Sequence, residues 1–419
     1  MQNSSALAVL FLTLFLLMLG VGIIIPNIAY HAQESRASAF EISLLFTLYS
    51  LMQFLFAPFW GHLSDRVGRK PILLLGLVGN AVGLFLFGVS SGLVELYAAR
   101  GLSGLMSSAA LPTAMAYVAD VTDEKSRGRG MGLLGAAMGL GFIFGPAIGG
   151  ALSSFGHRVP FLTASLLNLL TCILAALLLR ESLGGRARRA AASGVPATVI
   201  GVGEAPPVAA EPHFIRPWTA FSSPLLPFYL VAFFVTFAMA ALESIFPLFI
   251  QDRFGFGARD MGTMFLFMGT GVFLVQGLLL GRWIGALGEE NVMLCGLLVN
   301  ALGFLLVVAA AGRASLTVAL LVSGVGNQVM RPTNASLLTK RTRRGKGAVI
   351  GIMDSFDSAG RILGPIVAGM LYGPDPRYPY LASAAILATV GTVLWLRKGR
   401  RLNGAREAAP EVTSSSETP

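Results

Sequence analysis

The sequence predicts an all-α integral membrane protein whose twelve transmembrane helices form two pseudo-symmetric six-helix bundles. Three observations predict this fold class: a very apolar composition, twelve apolar segments long enough to cross a bilayer, and an internal repeat. Of the 419 residues, 54% are hydrophobic and 12% are charged, and the mean hydropathy is +0.71. Soluble domains carry roughly 25% charged residues. The composition therefore excludes a soluble globular protein.

A helix needs about 20 mostly apolar residues to cross the hydrocarbon core of a bilayer. The chain has twelve such segments, which we number spans 1 to 12. They cover residues 5–30, 41–60, 71–90, 93–118, 130–153, 160–180, 223–250, 260–281, 291–311, 314–338, 347–371 and 378–397. No basic residue precedes the first apolar run and no cleavage site follows it, so we predict that span 1 is a retained helix and not a signal peptide.

The Lys and Arg residues are unevenly divided between the two ends of these spans. At the end where the N-terminus is placed, which we call the basic end, the loops and tail contain 22 of the 31, while 6 lie at the opposite end and 3 within spans. Cytoplasmic loops carry such an excess, so we predict a multi-pass protein of the cytoplasmic membrane with both termini inside the cell. Contact with anionic lipid accounts for the net charge of +10, and no nucleic-acid partner is predicted.

A segment rich in Ala, Gly, Pro and Arg separates span 6 from span 7 and lacks apolar periodicity. Such a composition indicates a flexible linker. The predicted domains are therefore an N-terminal bundle over residues 1–180, a cytoplasmic linker over 181–222, a C-terminal bundle over 223–398 and a disordered cytoplasmic tail over 399–419.

The two predicted bundles repeat each other in sequence. The run that begins at Gly132 in span 5 aligns without gaps to the run that begins at Gly351 in span 11, and the loop from Gly61 aligns to the loop from Gly281. Equivalent residues in the two copies include Gly141 and Gly360, Gly145 and Gly364, Pro146 and Pro365, Gly150 and Gly369, and Gly68 and Gly288. A parallel duplication of a six-span unit explains both alignments.

Three motifs stand out against this architecture. The loop between spans 2 and 3 contains Gly61, Asp65, Arg66, Gly68, Arg69 and Lys70; span 4 contains Arg100, Gly101 and Gly104; and span 5 contains Gly139, Gly141, Gly145, Pro146, Gly149 and Gly150. With these motifs the sequence resembles the major facilitator superfamily, and within it the twelve-span drug:proton antiporters of the multidrug and tetracycline type. The resemblance extends over almost the whole chain and implies an exporter.

The loop motif has a physical interpretation of its own. Its glycines permit a tight reversal, and Asp65 is an acceptor that can face a helix N-terminus or pair with Arg69 across the interface between halves. The resemblance implies a latch that closes the cytoplasmic side of the outward-facing state. The alternative is a basic loop that only sets topology. The second copy has Gly285 in place of Asp65, so only the first copy is expected to form a latch.

The other two motifs lie within spans. Arg100 is a cation inside span 4, where it costs roughly 3 kcal/mol unless it faces water or a partner; the resemblance implies an influence on nearby carboxylates. Pairing with Glu95 and simple snorkelling are the two local alternatives. The span 5 glycines have small-xxx-small spacing and Pro146 permits a bend. We expect a pliable contact between the halves near the external side; the alternative is generic helix packing.

A proton-driven exporter needs an ionisable acid inside the membrane, and the spans contain few. Asp354 and Asp357 on span 11 rank first as proton carriers or coupling residues and Glu243 on span 7 ranks second, while Arg100, Arg331 and Arg361 are cations that would influence them. Asp357 and Arg361 are four residues apart and can pair. The alternative is a static ion-pair network that joins spans 10 and 11.

Fixed polar groups are rare in the spans, whereas Phe and Met are abundant. The predicted lining of the substrate cavity is Asn27, Tyr49, Gln53, Phe237, Gln276 and Asn327. This balance favours an amphipathic or hydrophobic small molecule over a sugar or amino acid.

The predicted function is proton-coupled export by a monomer in membrane lipid, driven by the proton gradient without a cofactor or metal, and without enzymatic activity. The alternatives are a carrier of one metabolite, such as a sugar or siderophore, and a non-transporting membrane sensor.

Overall fold

The computed structural model describes residues 2–122, 124–182, 220–221, 223–342 and 345–407. These residues form helices and contain no strand. The twelve spans are Gln2–Glu34, Ala39–Val67, Arg69–Val89, Leu93–Ser107 with Ala110–Val121, Glu124–Leu152, Val159–Leu178, Leu226–Phe254, Ala258–Leu274 with Leu280–Leu287, Glu289–Ala309, Arg313–Arg341, Lys346–Tyr372 and Tyr378–Glu407.

Ten helices in the described part of the chain are long and apolar enough to cross a membrane. Spans 10 and 11 are not among them. Span 10 carries Arg331, and span 11 carries Asp354, Asp357 and Arg361. Charged side chains inside a membrane face the bundle interior, so spans 10 and 11 are expected to be among the spans that line the centre of the molecule.

Local sequence explains where the spans begin, bend and end. Span 2 begins with a capping box, in which the amide of Glu41 donates to the Ser38 hydroxyl at 3.3 Å and the amide of Ser38 donates to the Glu41 carboxylate at 2.8 Å. Span 4 is interrupted after Ser107, because Pro112 lacks the amide that would bond the Ser108 carbonyl. Span 8 contains one π-helical turn, Val275–Leu279.

The duplicated loops also share a backbone conformation. Gly68 and Gly288, which are equivalent in the repeat, end spans 2 and 8 with positive φ angles of 121° and 78°. Side chains other than hydrogen are strained at such angles, which explains the glycine in both copies.

Helix packing follows the repeat. In the N-terminal half, span 1 packs on spans 5 and 6, span 3 on spans 4 and 6, and span 2 on span 4; in the C-terminal half the equivalent pairs, six spans later, are in contact as well. Between the halves, span 5 packs on span 8 and span 2 packs on span 11, which are again equivalent pairs. The pairing confirms an all-α fold of two pseudo-symmetric bundles.

Most of the predicted linker lies outside the described residues, as does 408–419 of the predicted tail. Span 12 continues to Glu407, past the predicted start of the tail at residue 399. The first two residues of the predicted linker, Glu181 and Ser182, contact the N-terminal bundle: the Glu181 carboxylate accepts hydrogen bonds from the amides of Arg69 at 2.9 Å and Lys70 at 3.2 Å.

Candidate transport site

The two halves contact each other closely at the end opposite the basic end. The Tyr30 hydroxyl of span 1 lies 3.3 Å from the carbonyl oxygen of Pro247 and 3.2 Å from that of Phe256. A Cβ atom at Gly150 would lie 2.5 Å from the carbonyl oxygen of Ala258, and one at Gly369 would lie 2.8 Å from the Cα atom of Phe40. Main chains of opposite halves therefore touch here, and this end is closed.

The halves separate toward the basic end. A cavity of about 620 Å³ lies between spans 2 and 4 on one side and span 11 on the other. Asp65, at the basic end of span 2, lines this cavity together with Gly351 and Asp354 of span 11. The molecule is thus open at its basic end.

Two smaller cavities lie deeper in the bundle. One of about 120 Å³ lies among spans 7, 10 and 11, and one of about 240 Å³ lies among spans 5, 7, 8 and 10. Glu243 and Asn327 line both, and Arg361 lines all three cavities. The predicted intramembrane charges of the C-terminal half therefore meet at the centre of the molecule.

Arg331 of span 10 and the two aspartates of span 11 form a charged network. An Arg331 guanidinium nitrogen donates to Asp354 at 3.0 Å, and its Nε lies 3.9 Å from Asp357. Asp357 also accepts a hydrogen bond from the Thr236 hydroxyl of span 7 at 2.8 Å. These contacts correspond to the ion-pair network that the sequence left open as an alternative.

Asp357 and Arg361, which their spacing allows to pair, form no ion pair within 4.0 Å in this conformation, although Arg361 acts electrostatically on Asp357. The Asp357 carboxylate points to Thr236 and Arg331 on neighbouring spans, and none of its oxygens lies within 4.0 Å of an Arg361 nitrogen. Spacing along one helix made the pair possible, but contacts between helices decided the outcome.

Glu243 and Arg361 differ from this network because neither forms a hydrogen bond or a close ion pair, although the positive charge of Arg361 acts on Glu243. Among the described residues, neither side chain has a hydrogen bond or an ion pair within 4.0 Å. Both nevertheless line the 120 Å³ and 240 Å³ cavities. The site thus contains one acid and one cation that face the same two cavities and interact electrostatically with each other.

Arg100 has neither of the two environments that its sequence position suggested. Its side chain is 5% exposed, so it does not snorkel, and Glu95 is engaged elsewhere by the Ser91 amide at 2.9 Å. The guanidinium carbon lies 4.1 Å from the centre of the Tyr49 ring. Arg100 is therefore held by a cation–π contact with span 2, and no described carboxylate lies within 4.0 Å of it.

The loop motif forms contacts inside the N-terminal half only. Asp65 lies 2.5 Å from Arg69, and Arg69 lies 3.1 Å from Asp120 at the end of span 4. The Lys70 ammonium donates to the Ala176 carbonyl of span 6 at 2.6 Å. The expectation that the Asp65–Arg69 pair spans the interface is wrong, because both residues belong to one half. In the described residues, Arg66 is exposed and has no partner, and a Cβ atom at Gly61 would meet nothing within 4 Å.

The span 5 glycines serve two different interfaces. Gly141, Gly145 and Gly149 pack against the backbone of span 1 within the same half, and a Cβ at Gly145 would lie 2.6 Å from the Cα of Gly22. The contact between halves is made by Gly150 with span 8 and by Pro146, whose carbonyl faces Gly262. We expected the whole motif to contact the other half, but only its last turn, which contains Pro146 and Gly150, does so.

Three of the six predicted cavity residues line a cavity. Gln53 lines the 620 Å³ cavity, Gln276 the 240 Å³ cavity and Asn327 both deeper ones. The other three pack between helices: Asn27 donates to the Ile23 carbonyl at 2.8 Å, Tyr49 stacks on Arg100, and Phe237 lies against span 11.

The sequence analysis missed two features of these cavities. The first is Thr236, whose hydroxyl contacts Asp357. The second is Phe142 and Phe273 in the apolar lining of the 240 Å³ cavity, which also contains Phe265 and Met268 from a Phe- and Met-rich cluster apparent in the sequence. Neither carries a signal in the sequence, since Thr, Phe and Met are common in packed helices.

Comparison with known proteins agrees with this arrangement. Multidrug resistance protein 1 of Bacillus subtilis (strain 168) is 31% identical over 402 residues, covering 94% of this chain and 97% of that protein. Multidrug resistance protein 2 of the same organism is 29% identical over 405 residues, covering 95% and 96%. Quinolone resistance protein NorA of Staphylococcus aureus is 26% identical over 391 residues, covering 92% and 95%.

Solved structures share the fold. The human organic anion transporter MFSD10 matches with a TM-score of 0.65 at 24% identity, covering 94% of this chain and 99% of that chain. A bacterial homologue of the lysosomal transporter Spinster, in an inward-facing and unoccupied conformation, matches with a TM-score of 0.70 at 16% identity, covering 94% and 95%. The sequence profile of the Major Facilitator Superfamily matches residues 10–284 and 268–418. The chain therefore belongs to the Major Facilitator Superfamily and is a membrane transporter, not an enzyme.

Proposed function

We propose that this transporter exports amphipathic or hydrophobic small molecules, including drugs, in exchange for protons. Three relatives that cover nearly the whole chain are multidrug and quinolone resistance proteins. A transporter must expose its central site to each side in turn. A cavity open at the basic end and closed at the other is one of the two states that this cycle requires.

The orientation follows from the charge bias. With the basic end in the cytoplasm, both termini are intracellular, the protein lies in the plasma membrane, and the open cavity accepts substrate from the cytoplasm or inner leaflet. In this proposal the Asp65 motif contacts the other half only after the basic end closes. The energy source is the proton gradient, no cofactor is used, and a monomer is sufficient.

The observation that carries the proposal is Glu243, an acid inside the membrane that lines two cavities and forms no hydrogen bond or close ion pair with a described residue. A proton carrier must bind and release its proton as access alternates. The sequence ranks Asp354 and Asp357 first, but both carboxylates contact Arg331. Asp357 also accepts a hydrogen bond from the Thr236 hydroxyl. We therefore place Glu243 first as the carrier and assign the aspartates to the network that supports spans 10 and 11.

The test is drug-dependent proton movement in proteoliposomes with an imposed pH gradient. Glu243→Gln is expected to abolish the exchange, because an amide keeps the shape of the side chain but cannot carry the proton. Glu290→Gln is the matched control, since Glu290 pairs with Arg341 at the basic end and lines none of the three cavities. Wild-type exchange in Glu243→Gln, Asp354→Asn and Asp357→Asn alike would exclude these acids as the coupling route.

A further inference from the structure

A separate apolar cavity of about 210 Å³ lies among spans 8, 9 and 10, near their basic ends. It is lined by Trp283 and Leu287 of span 8, by span 9 from Val292 to Val299, and by Val325, Gly326 and Val329 of span 10. Every lining side chain is apolar except for the thiol of Cys295. None of these residues lines the three cavities of the transport site, so this cavity is distinct from the transport path.

The cavity opens on the surface that faces lipid. Leu287 is 51% exposed and Cys295 is exposed as well. Span 9 begins at Glu289, so its lining residues Val292 to Val299 lie about 5 to 15 Å along the helix axis from the basic end. The hydrocarbon core of a bilayer is about 30 Å thick. The cavity therefore lies at the depth of the acyl chains in the leaflet at the basic end.

The equivalent place in the N-terminal half is filled by side chains. The residues 220 positions earlier that pack with Trp60 in one apolar cluster are Leu63, Val67, Ile72, Leu105, Met106 and Ala109. The two halves have the same helix register here. A Cβ atom at Gly76 would lie 3.0 Å from the carbonyl oxygen of Met106, and the equivalent atom at Gly296 would lie 3.1 Å from that of Gly326.

Two large side chains of the first copy have smaller counterparts in the second. Leu280 replaces Trp60, and Gly326 replaces Met106. The second copy has an open cavity where the first has packed side chains. An empty space in contact with hydrocarbon forfeits the dispersion contacts of its lining atoms, so a hydrocarbon chain that enters it is stabilised.

A positive charge lies next to this cavity in the sequence. Arg282, which precedes Trp283, is exposed and has no hydrogen bond or ion pair with a described residue. Two other basic residues at the same end, Lys340 and Arg341, are paired with acids of span 9. Basic side chains near the membrane surface attract anionic lipid headgroups. Arg282 is therefore available to the headgroup of a lipid whose chain enters the cavity.

From the opening toward lipid, the depth and the charge, we infer that this cavity binds one acyl chain of an anionic phospholipid from the leaflet at the basic end. The headgroup of that lipid lies at Arg282, and its chain takes the place that Met106 fills in the other half. Asn327 and Arg331 line the transport cavity from the opposite face of span 10, so the bound chain supports span 10 from behind. The inference does not depend on which substrate is exported.

The test uses Trp283 as a probe, because bromine atoms on an acyl chain quench the fluorescence of an indole ring that they contact. The purified full chain is reconstituted in phosphatidylcholine vesicles, into which phosphatidylglycerol or phosphatidylcholine with brominated acyl chains is titrated. The signal of Trp283 is the difference between each protein and the same protein with Trp283→Phe. We expect half-quenching at about a fivefold lower mole fraction of the anionic lipid, the preference that one basic side chain confers.

Three variants make the result specific. Cys295→Phe places a ring in the cavity and Arg282→Gln removes the charge, so each should abolish the preference for the anionic lipid. Leu298→Phe is the matched control, since it places the same ring on span 9 at a similar depth but outside the cavity. Leu298 is 53% exposed, and its variant should retain the fivefold preference.

Equal half-quenching fractions for the two lipids in the wild type would mean that Trp283 contacts only bulk lipid, and this result would overturn the inference. An unchanged preference in Cys295→Phe would place the lipid outside the cavity, and an unchanged preference in Arg282→Gln would contradict the assignment of the headgroup. Displacement of the brominated lipid by an exported drug would assign the cavity to substrate and overturn the inference as well. Drug-dependent proton movement, which tests the proposed function, is measured separately.

Discussion

The Nε atom of Arg69 lies 3.1 Å from the carboxylate of Asp120, and this ion pair joins the start of span 3 to the end of span 4. The residues 220 positions later are Glu289 and Lys340, which form an ion pair of 2.9 Å between the start of span 9 and the end of span 10. The duplication has thus kept the bridge and exchanged its charges. The exchange places an acid in the second loop at the position equivalent to Arg69.

The two bridges should differ in their contribution to stability. Arg69 is 10% exposed and Asp120 is 25% exposed, whereas Lys340 is 66% exposed. We expect Asp120→Asn to lower the free energy of unfolding by about 1–3 kcal/mol, because it leaves a nearly buried charge with one partner fewer. Lys340→Gln should cost less than about 1 kcal/mol, as exposed pairs do. Denaturant titration of the purified protein measures both.

A charge swap is the control for this prediction. The double variant Glu289→Lys with Lys340→Glu restores opposite charges at the same two positions and should recover most of the small loss. If Lys340→Gln costs as much as Asp120→Asn, exposure does not decide the strength of these bridges.

The sequence was sufficient for the parts of the fold that depend on local composition. Twelve apolar segments and the repeat predicted the spans, and Gly68 and Gly288, which are equivalent in the repeat, both have positive φ angles. The ends of spans were less predictable: span 8 extends over Ala258–Leu287 rather than 260–281. Hydropathy marks the apolar centre of a helix but not the turns beyond it.

The second prediction concerns the cation in the N-terminal half. Tyr49→Leu should lower thermal stability by about 1–2 kcal/mol, because it removes the aromatic face 4.1 Å from the Arg100 guanidinium carbon. Tyr49→Phe retains that face and loses only the hydroxyl contacts with Gln53 and Ser107 at 3.1 and 3.0 Å. In a thermal-shift assay, Tyr49→Phe should therefore have a higher melting temperature than Tyr49→Leu. The reverse order would assign the stabilisation to the hydroxyl network.

The partners of the charged residues could not be obtained from the sequence. Asp357 is four residues from Arg361, but its carboxylate bonds Thr236, 121 positions away. Arg100 is five residues from Glu95, but it stacks on Tyr49 of another span. The rotation of each helix about its axis selects the partner, and packing between helices sets that rotation.

The third prediction separates structural from coupling roles in the charged network. Thr236→Val removes the hydroxyl that donates to Asp357 at 2.8 Å while keeping the shape of the side chain. Hydrogen bonds between membrane helices contribute about 0.6 kcal/mol on average and up to about 1.7. We expect a stability loss in that range, measured by thermal unfolding, with drug-dependent proton exchange retained. A stable Thr236→Val protein without exchange would indicate that Asp357 takes part in coupling.

The fourth prediction tests how the opposite end is closed. In Gly150→Ala the added methyl group would lie 2.5 Å from the carbonyl oxygen of Ala258, which is backbone and cannot turn aside. The variant should therefore disfavour closure and populate states open at the opposite end, seen as longer distances between spin labels on the adjoining ends of spans 5 and 8. Gly135→Ala, whose added methyl group meets nothing within 4 Å, should leave the distances unchanged. Because the two variants add the same methyl group to the same helix, equal distances in both would mean that the Gly150 contact does not control closure.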